Sequence, residues 1–99
     1  MGKDTLIPVQ IASAAWPALA GELPTHLLTV FTMKHHGAGR QAARAYLSPD
    51  DARLVKMAAL RAERAALKGG GRHGHKVANA CERLVLRMEA DMRVQGIEP

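Results

Sequence analysis

The sequence predicts an all-α fold, a small helical bundle in one domain spanning residues 1–99, closed by an antiparallel helix pair at about 49–68 and 75–94. Three observations lead there. The chain is rich in Ala and Leu and poor in aromatics, with only Trp16, Phe31 and Tyr46, so its core must come from aliphatic and Met side chains of high helix propensity. Ser48-Pro49-Asp50-Asp51 reads as a helix start, with Ser48 as cap, Pro49 in the first turn and two carboxylates at the positive end of the helix dipole. Finally, both C-terminal stretches repeat apolar residues with the period of a helix, and a glycine-rich segment separates them.

In chain order, Thr5 to Ile11 suits a short strand by its β-branched content, or a helix with Pro8 at its first position and its end near Trp16. Pro17 and Pro24 can likewise open a short helical turn and a longer helix; three prolines ahead of apolar runs favour helices for this region. Leu27, Leu28 and Phe31 make one helical stripe between Thr25 and His36, which Gly37 would end, with a strand as the alternative. A further helix is expected over Gly39 to Leu47.

The helix opened by Ser48 is expected to run to about Lys68 and to stop at Gly69-Gly70-Gly71. Leu54, Val55, Ala58, Ala59, Ala62, Ala65 and Ala66 share an arc whose small side chains would admit a close partner. Arg53, Lys56, Arg61, Arg64 and Lys68 share the opposite arc with Met57, Leu60 and Leu67, a strip that reads as a second buried edge or a partner interface. After Gly69–Gly74, expected as a loop, Val77, Cys81, Leu84, Val85, Met88 and Met92 form the stripe of a last helix from about His75 to Val94. On that helix Arg87–Asp91 and Glu89–Arg93 have ion-pair spacing.

Charge is the strongest functional signal. Residues 33 to 76 hold ten of the fourteen Lys and Arg against Asp50, Asp51 and Glu63, a net of +7, while each flank nets −1. Such a block suits a polyanionic partner. Within it, the stretch from Thr29 to Leu47 resembles a helix-turn-helix: Gly37 would take the turn, Ala43, Tyr46 and Leu47 would face the core, and Arg40, Gln41 and Arg44 would read base edges. Met33 stands where that motif prefers a small residue, and Gly39 weakens the start of the second helix. Arg72 and Lys76, around the glycine loop, join Lys34 and Arg53 as candidate phosphate contacts. The loop is not a P-loop, because His75-Lys76-Val77 follows Gly74 where that motif has Lys and Ser or Thr.

Other chemistries are weaker. His26, His35, His36, His73, His75 and Cys81 lack zinc-finger spacing, so no metal or other cofactor is expected. No nucleophile elbow or dinucleotide fingerprint occurs, and the acids fall at helix starts or ion-pair positions, so no catalytic residue is assigned and an enzyme is not expected. Lys3 followed by an apolar run and Ala18-Leu19-Ala20-Gly21 has the outline of a leader, but Asp4, Pro8, Gln10 and Pro17 interrupt it; a retained, folded segment is expected, and one too short to span a bilayer. One cysteine excludes an internal disulfide and suits the cytoplasm. The expectation is a small basic nucleic-acid-binding protein, a DNA-binding regulator with DNA favoured over RNA and a homodimer as one form. The alternative is a helical accessory subunit or inhibitor that docks on a larger protein or nucleoprotein complex through Met57, Leu60 and Leu67.

Overall fold

The structure, a computed structural model, describes residues 5–36 and 40–99. The elements in order are β1 (Ile7–Ala12), α1 (Trp16–Ala20), α2 (Thr25–Leu28), β2 (Thr32–His36), β3 (Arg40–Leu47), α3 (Pro49–Gly69) and α4 (Gly71–Val94). Helix predominates, in keeping with the all-α expectation, and a three-stranded antiparallel sheet of order β1-β3-β2 is added to it.

The sheet corrects three expectations. Residues 29–47 do not form a helix-turn-helix, because the segment on either side of Gly37-Ala38-Gly39 is strand, paired from Thr32↔Arg44 to His36↔Arg40. Gly37, the residue expected to take the turn of that motif, lies outside the described residues. Alternation decides it: Ala43, Ala45 and Leu47 are buried while Arg44 and Tyr46 are exposed, a period of two that places every second residue against the core. The helix expected from Thr25 to His36 stops at Leu28, and Thr29 to Phe31 lead into β2. Pro8 opens no helix; it lies in β1, on the edge of the sheet where a missing N–H costs no ladder bond, opposite Tyr46. Pro17 does occupy the first turn of α1, and Pro24 is the residue that caps α2.

Ser48 caps α3 as its sequence position suggests: its hydroxyl accepts the Asp51 N–H at 3.2 Å. The helix ends at a single residue, Gly70, whose φ of 71° only glycine adopts without strain. Gly71, also at positive φ, already begins α4, so Arg72, His73 and Gly74 are helical rather than looped. Gly74 is buried, and a Cβ added there would collide with the Ala66 carbonyl oxygen. Ala66 and Gly74 meet near the turn, while Lys56 meets Glu89 and Arg53 meets Glu98 at the other end, so α3 and α4 run antiparallel.

Ile7, Val9 and Ile11 from β1, Ala43, Ala45 and Leu47 from β3, and Val55, Leu84, Met88 and Met92 from the helices join one buried cluster. Burying each large aliphatic side chain contributes about 1.5–3 kcal/mol. On α3 the buried residues are Ala52, Val55, Ala58, Ala59 and Ala62; the expected arc was too wide, since Leu54 and Ala65 are exposed. Trp16 and Phe31, with ring centroids 5.4 Å apart, pack against the cluster from the α1–β2 side.

Candidate nucleic-acid interface

Among the described residues, three cations of the basic block are engaged within the fold. Arg53 donates to the Asp50 carboxylate at 3.2 Å and to the Glu98 carbonyl at 2.7 Å, tying the C-terminal segment to the start of α3. Lys56 lies 2.9 Å from Glu89 on α4, both largely covered; hydrogen bonding by Lys56 holds the Glu89 carboxyl below the usual glutamate range, helped by the charges of Lys56 and Arg93. Arg61 reaches the carboxylate and the carbonyl of Glu22, each at 3.1 Å. These three cations hold elements together. Arg53, expected on phosphate, is therefore engaged within the fold.

Lys34, Arg40 and Gln41 pair in backbone register with Ala42, His36 and His35, on β2 and β3 rather than on a recognition helix. Their side chains lie outside the described residues. Arg44 is exposed on the outward face of β3 and has an interaction of its own within the fold. Arg72 and Lys76 are exposed on α4. Of the proposed partner strip, Met57 and Leu67 are about half exposed, whereas Leu60 packs against the core.

What the structure does bring together is a row on α4. Arg72, Lys76, Asn79, Arg83 and Arg87 follow one another at intervals of four, three, four and four residues, and all five are exposed. This spacing places them on one face, away from the buried stripe of Val77, Cys81, Leu84, Val85, Met88 and Met92. At 1.5 Å per residue the row is about 22 Å long. Among the described residues none of its four cations forms an ion pair; Glu89–Arg93 closes at 3.9 Å, but Arg87 and Asp91 do not pair.

At its C-terminal end the row meets the sheet. Arg87 and Asp91 line a cleft of about 180 Å³ together with Pro8, Val9, Gln10, Arg44, Ala45 and Tyr46. The pairings Pro8↔Tyr46 and Gln10↔Arg44 set these four residues side by side on the outward face of β1 and β3. A second, more apolar groove of about 400 Å³ lies by the helical turn, lined by Ala18, Ala66, Gly70 and Val77 with Glu22 and His73.

Arg83, Arg87, Gln10 and Tyr46 are thus candidate site residues that sequence reasoning missed. The spacing of the arginines was present in the chain, but a helix begun at His75 leaves Arg72 off it, and a charge block closed at Lys76 hides its continuation. Among the described residues no three His, Cys, Asp or Glu side chains gather as a metal-binding group. Nor is any described helix long and apolar enough to cross a membrane. Comparison with protein-family models, with curated proteins and with solved structures finds no match.

Proposed function

We propose that the protein binds nucleic acid through the phosphate backbone, with the exposed row Arg72, Lys76, Arg83 and Arg87 as its principal contact. The observation that carries this reading is the row itself: four cations aligned over about 22 Å on one rigid helix, with no partner among the described acids. Backbone amides and long basic side chains position a charged polymer without reading its sequence. Residues 40–47 form a strand, so this reading uses phosphate contact and no base-reading helix there. The single buried thiol suits a reducing compartment such as the cytoplasm.

Titration of labelled DNA against salt tests the reading. Four phosphate contacts give a log–log slope of about −3 to −4, so affinity falls on the order of a hundredfold between about 50 and 200 mM salt. Arg83→Glu/Arg87→Glu, at two exposed positions, abolishes binding and leaves the helical circular dichroism unchanged. Binding that ignores salt, or that survives this double reversal, refutes the reading.

One observation favours docking on a protein instead. Met57 and Leu67 on α3 are 51% and 49% exposed, apolar side chains among charges on one side of the helix. Under that reading a specific partner is recovered at fixed stoichiometry after nuclease treatment, and Met57→Asp/Leu67→Asp releases it.

A further inference from the structure

We infer that the cleft lined by β1, β3 and the Arg87–Asp91 turn of α4 receives one unpaired nucleobase, stacked on Tyr46, so that single-stranded nucleic acid is the preferred ligand of the basic row. This rests on the nucleic-acid reading above and names its ligand class.

Tyr46 is 73% exposed, the most open of the chain's three aromatic rings, and its position in the fold gives it no core role. It stands near the end of β3, past the stretch paired with β2, across from Pro8 on β1 and two residues from Arg44 on its own strand. A flat, solvated ring on a sheet face is the element on which single-strand binders stack bases, because every base has a π-face to offer. In a duplex those faces are already covered by neighbouring bases. Only a splayed base can lie on Tyr46.

The rest of the cleft suits the edge of a base. Gln10 presents an amide with donors and an acceptor, Asp91 adds acceptors, and Arg87 adds fixed donors. Arg87 is also the last cation of the α4 row, so a strand whose phosphates follow that row arrives at the cleft with a base beside it. Size points to one ring of a polymer: about 180 Å³ lies below the roughly 300 Å³ at which sites for independent small molecules begin.

The test compares a mixed-sequence single strand of about 12 nucleotides with its duplex at about 50 mM salt, on the parent protein, Tyr46→Phe, Tyr46→Ala and Arg83→Glu/Arg87→Glu. The single strand should bind more tightly than the duplex. Tyr46→Phe, which keeps the ring face, should retain that preference, and Tyr46→Ala should lose about tenfold on the single strand with duplex binding unchanged. Because Tyr46 is the one tyrosine, its ring protons give an unambiguous NMR signal, which should move upfield when the strand contains purines. Equal affinity for both ligands, or a Tyr46→Ala variant that binds the single strand like the parent, overturns the inference; the backbone reading survives if the double reversal still abolishes binding. Absence of binding to either ligand overturns both.

Discussion

Gly74→Ala separates a glycine that is needed from one that is merely present. Gly74 lies inside α4, buried against α3, and its missing Cβ is what lets the Ala66 carbonyl oxygen come close; the carbonyl carbon would stand 3.4 Å from an added methyl. The obstacle is the backbone of a 21-residue helix, which cannot rotate aside as a side chain would. Overpacking costs about 1–3 kcal/mol, and a backbone clash belongs in the upper half of that range. Against it stands the gain of replacing glycine by alanine within a helix, about 1 kcal/mol. The net loss is about 1–2 kcal/mol, which at 4–8 °C per kcal/mol lowers Tm by roughly 5–15 °C. Gly69 is the control: it closes α3, is absent from the positive-φ glycines, and has nothing within 4 Å of an added Cβ. Gly69→Ala should raise Tm by a few degrees in the same calorimetric scan. If Gly74→Ala raises it too, the close approach of the two helices is refuted.

Three further outcomes follow from named contacts. Ser48→Ala removes the acceptor for the Asp51 N–H and should lower stability by about 1 kcal/mol in urea unfolding, whereas Ser48→Asp should restore most of it. Glu89, whose folded pKa is depressed by Lys56, stabilises the protein above the unfolded glutamate pKa, and this contribution is lost as pH falls through the folded value. Glu89→Gln should therefore be less stable than the parent at neutral pH, and the difference should shrink on acidification. Cys81 is buried, and burial followed by the charge of Glu63 pushes its thiol pKa up, so a thiol reagent should leave the native protein unmodified and label it fully in denaturant.

The C-terminal half was the legible part of this chain. Ser48-Pro49-Asp50-Asp51 marks a helix start by chemistry that acts locally, and the stripe Val77, Cys81, Leu84, Val85, Met88, Met92 has no strand reading at that length. Residues 40–47 were not legible, for a physical reason. Arg40-Gln41-Ala42-Ala43-Arg44-Ala45 is built from good helix formers, and its alternating pattern is carried by alanines, which mark a buried face faintly; pairing with both β1 and β2 overrides the local preference. Glycine misled in the opposite sense. Gly71 and Gly74 looked like loop residues, yet one follows the turn and the other lets two helices touch. Of the site, Arg72, Lys76 and Arg44 were found from charge, but the partnerships of Arg53, Lys56 and Arg61 are long-range or depend on geometry that no linear charge count can reveal.

The one-residue joint at Gly70 constrains how this protein can vary. With so little slack between two long rods, the azimuth of the second is dictated by where the first stops. Sliding the second rod by a single position would swing it about 100° around its axis, turning its arginines inward and its methionines into water. Lengthening or shortening this joint is thus predicted to be poorly tolerated, because the charged ridge inherits its bearing from Gly70.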